Sequence, residues 1–482
     1  MRNFAKVMTL TAALLAFGCG SDDGSFNYGG FFPNNPNQVA APTAVADAFQ
    51  VLGGGILTGS VTANDTLNGA TVTAFQNPGT AGGTVAISAA GTLTYTPPTN
   101  GANLVDTFTY TIVNTGGSST ATVTVNVGAR GLFVKNDVAV TGTGSQASPF
   151  KTLAEAVAAA ANNGDQIVLF RGDGTNTGLN TGFTLKPGQG ISSLDPASPA
   201  NITGPVNITT GNTIKDLRII GTTGSAVNGT NSVGGSLSGV LIDGASVRGV
   251  SLTNSTGTFS VTNSTIRNTA SHGIVASSDT GSLIWSVTGS TFANVTGQDV
   301  FSNTSLTAAQ NVTAVNSSST GGALQFVFVS SSSSGQIGLN MTNNTVNGAT
   351  AKARGLSVST TSSSNFLGLI AGNNVTNCTV EAMRVAVGGT SVARAKFTGN
   401  RTTGNTGLTA VNLFTFDGTG SNLGLVMQNN ISDSFTITRA TNTDLNVEVL
   451  SQFTTASNNT PAPSLSNNPA PQEVPSGSLG IP

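Results

Sequence analysis

Asn343-Asn344-Thr345-Val346-Asn347, Asn373-Asn374-Val375-Thr376-Asn377, Asn400-Arg401-Thr402-Thr403-Gly404-Asn405 and Asn429-Asn430-Ile431-Ser432-Asp433 read as one corner written four times. Outward from them, a turn residue, usually asparagine, returns about every 22 to 31 residues: Gly221, Asp243, Asn268, Asn294, Asn316, Asn347, Asn377, Asn405 and Asp433. After the first eight comes an apolar strand start, at Val227, Val250, Ile274, Val300, Leu324, Leu356, Met383 and Val411. Such a period marks a solenoid, in which each repeat buries its apolar side only against its neighbours. Within each period GIVAS (273–277), GLSVS (355–359) and MRVAV (383–387) alternate or run β-branched, as strands do. The Asn, Gly, Ser and Thr between them tolerate left-handed backbone and turn the chain without long loops. The period is too short for a propeller blade and lacks the helix of a leucine-rich repeat, which leaves a parallel β-helix. Like amides stacked at a corner can bond along the stack. Asn343-Asn344-Thr345 also has the form of a glycosylation acceptor, but the repetition favours a ladder.

The chain has 482 residues, room for two or three domains. Only 8% are charged, 61 are glycine, and 20 acidic against 18 basic residues leave a net charge of −2. That balance provides no basic surface for a phosphate backbone and excludes nucleic acid as a partner. Arg2 and Lys6, the apolar run Val7–Phe17 and Gly18-Cys19 describe an export leader, too short to span a bilayer. LLAFGC followed by GSDDG resembles the leader of a bacterial lipoprotein, which implies acylation of Cys19, a membrane partner through that anchor and, with Gly20 next, an outer-membrane or cell-surface location. Ala16-Phe17-Gly18 also suits ordinary cleavage, which gives a secreted product. Cys378 is the other thiol, so no disulfide framework exists and the residue is expected to be buried.

These boundaries divide the chain into a signal peptide (1–18), a flexible Gly/Asn/Pro-rich tether (19–41), a first folded unit (42–127), the coils (130–455) and a Pro/Asn-rich tail (456–482). In the first unit GGTVAIS (82–88), GTLTYTP (91–97), DTFTYTIVN (106–114) and TATVTVNV (120–127) are short alternating strands, which predicts an antiparallel sandwich. With SVTANDTLNGATV (60–72) this stretch resembles the immunoglobulin-like or cadherin-like modules of bacterial surface proteins, which implies a spacer or adhesive unit. Asn64, Asp65 and Asp106 would be the calcium ligands if the comparison held, but two distant aspartates are few for a hard cation, and turn and capping roles are favoured. No cofactor is expected.

Thr152-Leu153-Ala154-Glu155 is a capping box opening a short helix that Asn162-Asn163-Gly164 ends. Its apolar face is expected to cover the first coil. PFKTLAEA (149–156), NNGDQIVLFRG (162–172) and TLKPGQGI (184–191) resemble the N-terminal entry of the pectate-lyase-like right-handed β-helices, which implies a capping helix and a first coil at GDQIVLFRG. The fold expected is therefore all-β, an Ig-like sandwich followed by a right-handed parallel β-helix.

That architecture carries enzymes and adhesins alike, so function rests on side chains. The lyases of this resemblance imply clustered aspartates and a basic residue, whereas Asp243, Asp279, Asp299, Glu381, Asp417, Asp433, Asp444 and Glu448 are scattered. A glycosidase needs two carboxylates around the scissile bond. Ser271-His272-Gly273 and Asn442-Thr443-Asp444 come in the wrong order for a polygalacturonase-like site, and His272, the single histidine, reads as a corner residue. No catalytic or metal-binding residue is assigned. Arg354, Arg384, Arg394 and Lys396, with Lys352 and Arg401 nearby, fall in three consecutive coils and are the candidate anionic-ligand residues. Trp285 has the parity to face outward, and Phe326 and Phe328 are expected to point inward. The favoured role is a surface-structural, adhesive or glycan-binding protein whose partner is a polysaccharide or another surface protein. The alternative is a pectate-lyase-like polysaccharide lyase or glycoside hydrolase.

Overall fold

The computed structural model describes residues 39–406 apart from 350, then 410–416, 420–432, 434–438, 443–448, 453–455, 464–466 and 472–473. The leader, Cys19, nearly all of the tether, Asp417, Asp433 and most of the tail lie outside the described residues.

The first unit is a sandwich of strands β1 (Asp47–Gly53), β2 (Leu57–Ser60), β3 (Thr71–Phe75), β4 (Thr84–Ile87), β5 (Thr92–Thr96), β6 (Leu104–Asn114) and β7 (Gly117–Val134). One sheet orders β3, β6, β7 and β1, the other β2, β5 and β4. All pairs are antiparallel except β1 with β7, which run parallel. Alternation in TLTYT and LVDTFTYTIVN buries Leu93, Tyr95, Phe108, Tyr110 and Ile112 between the sheets. Asp106, fully buried, accepts from Ala81 N (2.7 Å), Gly83 N (2.9 Å) and Tyr95 Oη (2.8 Å). Asp65 accepts from Val45 N and Tyr110 Oη, and Asn64 donates to Ala46 O. These three residues satisfy backbone and tyrosine groups, the turn and capping role.

Strand β7 does not stop at the edge of the sandwich. Its segment Gly131–Val134 pairs in parallel with Gln166–Leu169, the first coil strand, so residues 127–130 lie inside one continuous strand. Gln146 reinforces the junction, its N–H donating to Gly54 O (2.9 Å) and its Oε1 accepting from Ile56 N (2.7 Å). Helix α1 (Leu153–Ala159) follows. Thr152 and Glu155 form the reciprocal capping box, and Leu153 and Ala156 join the apolar column of the coils.

The rest is a parallel β-solenoid with three strand faces. Sheet A carries the register Val206, Val227, Val250, Ile274, Val300, Val327, Leu356, Met383 and Val411. Sheet B follows in each coil, for example Ser282–Thr288, Ala309–Val315, Gln336–Thr342, Asn365–Ala371 and Val392–Thr398. Sheet C consists of short strands, eleven of them among the described residues. Ten steps at ~4.8 Å make a rod on the order of 50 Å. Val, Ile, Leu, Phe and Met from all three faces fill one continuous core.

The corner between sheets B and C holds the amide ladder. Asn344 Nδ2 donates to Asn373 Oδ1, Asn373 Nδ2 to Asn400 Oδ1 and Asn400 Nδ2 to Asn430 Oδ1, each at 2.9 Å, and all four residues are buried. Earlier coils place Ser264, Ser290 and Ser317 there instead. The turn register differs from expectation at Asp243, which pairs with Arg267 so that Gly244 takes the corner level with Asn268, and at Asn316 and Leu324. Thr320, not Asn316, pairs with Ala293, so Gly321 stacks on Asn294 and Asn316 belongs to the corner before Asn343. Val327, not Leu324, takes the strand position: Thr320 to Val327 is seven residues, as is Ala293 to Val300, and Leu324 falls in the exposed turn between. Asn347, Asn377 and Asn405 also step by one residue from coil to coil but still touch, Asn377 Nδ2 donating to Asn347 Oδ1 (3.0 Å) and Cys378 N to Asn405 Oδ1 (2.9 Å). Cys378 is fully buried, as its surroundings required.

Candidate functional site

The outer face of sheet A presents side chains in columns, because equivalent residues stack at every coil. Two residues ahead of the register position stand Arg248, His272, Gln298, Gln325, Arg354 and Glu381; one residue after it stand Ser251, Val275, Phe301, Phe328, Ser357, Arg384 and Asn412. Alternation turns the second set away from the core, and the first set, at the entry to each strand, meets it where Glu381 contacts Arg384 and Asn412.

Aromatic rings stack along the axis. His272 lies on Phe301 with centroids 5.6 Å apart, and Phe301 on Phe328 at 5.2 Å with planes 5° from parallel. Phe328 therefore points outward, contrary to expectation; Phe326, the second residue of the strand Gln325–Ser331, is the inward ring. Trp285 is also corrected: it is fully buried, its Nε1 donating to Gln310 Oε1 (3.2 Å), while Ile284 takes the outward position. Ser271 Oγ and His272 Nδ1 are hydrogen bonded at 2.6 Å, and burial, with Arg248 nearby, holds the imidazole below its ordinary pKa.

One coil beyond Phe328 the face becomes cationic. Glu381 Oε2 accepts from Arg354 Nε and lies 4.0 Å from Arg384 Nε, while Glu381 Oε1 accepts from Asn412 Nδ2 (2.9 Å). The Arg384 guanidinium sits 5.0 Å from the centre of the Phe414 ring. Burial, then the neighbouring Arg354, depresses its pKa against the opposing effect of Glu381. Two guanidiniums, Arg354 and Arg384, thus face one carboxylate, and in earlier coils of the same column Arg248 Nε, Gln298 Oε1 and Gln325 Oε1 are buried without a partner. Such groups bind anions and hydroxyls.

The structure separates the four candidate basic residues into two pairs. Arg354 and Arg384 share the sheet A face, whereas Arg394 and Lys396 project from Val392–Thr398 on sheet B. The sequence spacing had merged the two faces. Lys352 is not superficial at all: it runs down the core to Asp299 Oδ2 at 3.0 Å, and Ser319 Oγ donates to the same oxygen. Burial pushes the Asp299 carboxyl up to about 6, against the pull of Lys352.

Among the described carboxylates, Asp243 is held by Arg267 and Asn268, and Asp279 lies in an exposed turn against Ser305. Among the described residues no group of three or more His, Cys, Asp or Glu able to hold a metal is found, and no helix is long and apolar enough to cross a membrane.

Residues 37–126 match the family model described as the bacterial Ig domain. No curated protein matches the chain. Solved structures similar to it include the catalytic unit of a thermostable GH87 alpha-1,3-glucanase from Streptomyces thermodiastaticus strain HF3-3, at 14% identity over 68% of this chain and 72% of that one, with a TM-score of 0.30. Another is the catalytic domain of a GH87 alpha-1,3-glucanase in complex with tetrasaccharides, at 11% identity over the same shares and a TM-score of 0.30.

Proposed function

We propose that this is an exported envelope protein that binds acidic polysaccharide on the outer face of sheet A without cleaving it. In this reading Cys19 carries a lipid that anchors the chain to the outer membrane or cell surface. The Ig-like unit holds the solenoid away from that surface, and a surface glycan or another surface protein is the partner.

The carrying observation is the face itself: stacked rings at His272, Phe301 and Phe328 lead into Arg354 and Arg384, which share only Glu381. The positive ring edges suit sugar oxygens, and the half-buried guanidiniums suit uronate carboxylates. A glycan along the rod meets an equivalent position every ~4.8 Å.

The test is titration with polygalacturonate and alginate, with and without calcium, alongside an assay for new reducing or unsaturated ends. Binding that weakens with salt and with Arg384→Ala, and no new ends, is the expected result. Release of ends would turn the reading to a polysaccharide lyase or glycoside hydrolase. Mass spectrometry of the mature N-terminus tests the anchor; an unmodified residue there would remove it.

A further inference from the structure

A second recess lies around the rod, on sheet B. It is an open recess of about 500 Å³ that spans four coils and is lined by Asn311, Gln336, Asn365, Leu367, Val392 and Arg394 among others. That volume is in the range of small-molecule sites.

Three features give the recess its character. Four exposed polar side chains of the lining, Asn311, Gln336, Asn365 and Arg394, make no hydrogen bond or ion pair among the described residues, whereas Gln310 beneath them is bonded to Trp285 and Ser302 and the amides of the corner ladder are saturated. Leu367 and Val392 beside them are 45% and 38% exposed, so methyl groups interleave with amides. No carboxylate lines it, which leaves the charge of Arg394 uncompensated. Gly338 supplies the depth: a Cβ there would stand 2.3 Å from Asn311 Oδ1.

We infer that this groove binds an N-acetylated oligosaccharide bearing one carboxylate. Acetamido N–H and C=O groups pair with the free amides, the acetyl methyl lies on Leu367 and Val392, and the carboxylate meets the Arg394 fork. A neutral glycan would leave the guanidinium unanswered, and a polyuronate would bring charges for which the groove holds no further cation among its lining residues.

The inference is independent of the sheet A reading. Calorimetric titration of the full chain with 3′-sialyllactose, which carries both groups, is compared with lactose, which carries neither. Sialyllactose should bind and lactose should not. Arg394→Ala should weaken binding about tenfold or more, the loss of one charge-assisted contact. Gly338→Val, whose side chain displaces only the flexible end of Asn311, should abolish it, while Arg384→Ala should leave it unchanged. Equal binding of the two sugars, or unaltered affinity in both groove variants, overturns the inference. Loss in Arg384→Ala alone would move the ligand to sheet A and also overturn it. Failure of polygalacturonate to bind would count against the sheet A reading only.

Discussion

Replacing Asn373 by alanine should cost far more than replacing Asn374, although the two are adjacent and identical in type. Asn373 Oδ1 accepts from Asn344 N (3.0 Å) and Asn344 Nδ2 (2.9 Å), and its Nδ2 donates to Met341 O (2.8 Å) and Asn400 Oδ1 (2.9 Å). Four bonds at a net ~1 kcal/mol each set the scale, and alanine also strands the buried Asn344 N–H. The expected loss is about 3–5 kcal/mol. Asn374 is exposed at the start of its sheet C strand, so its truncation should stay within ~0.5 kcal/mol. Urea unfolding is followed by circular dichroism and by Trp285, the single tryptophan, buried three coils earlier. Coils stabilise one another through nearest neighbours, so the ellipticity transition should shift first and Trp285 emission should follow. A difference between the two variants below ~1 kcal/mol would refute the ladder as a determinant of the fold.

Lys352→Met should destabilise by about 3–5 kcal/mol, since it leaves Asp299 buried alone, whereas Lys352→Met with Asp299→Leu should return to near the parent value, both read by urea titration. Folded Asp299 holds its proton more tightly than the unfolded chain, about 6 against an ordinary 3.8, so its contribution to stability is present at low pH and lost as pH rises from about 4 to about 6; the double variant should flatten that slope in pH-dependent melting. Phe301→Ala with Phe328→Ala should weaken polyuronate binding while leaving circular dichroism unchanged, both residues being outward and half-buried. Gln146→Ala should loosen the sandwich against the first coil, seen as faster hydrogen exchange at Ile56 with protection at Ile167 retained.

The period of the coils and the capping box were legible because each depends on local chemistry. An asparagine at positive φ costs little, as at Asn268, Asn294, Asn316, Asn343, Asn377 and Asn429, so selection for corners writes asparagine into the chain. What could not be read was which of two corners each asparagine served. Both demand left-handed backbone, so Asn316, which stands level with Asn343 in the corner between sheets B and C, reads in the sequence like a residue of the other corner. Hence Asn316 and Leu324 were placed one corner or one turn away from their true positions.

The same ambiguity explains the basic residues, because one coil passes three faces and residues a few positions apart can look in different directions. Arg384 and Arg394 are ten residues apart in the chain and belong to different sheets, while Arg354 and Glu381, 27 apart, are hydrogen bonded. In a solenoid the functional neighbour is the residue one period away, not the residue nearby. The columns Arg248-His272-Gln298-Gln325-Arg354-Glu381 and Phe301-Phe328 would have emerged from the sequence if the register had been anchored on Val327, since each is the same offset from successive strand starts. Lys352 shows the limit of that rule. It stands four residues before its register position, inside a turn, and only the packing of Asp299 and Ser319 within the core reveals that its ammonium points inward. A charged residue in a solenoid turn therefore carries no surface assignment until the coils beneath it are in place.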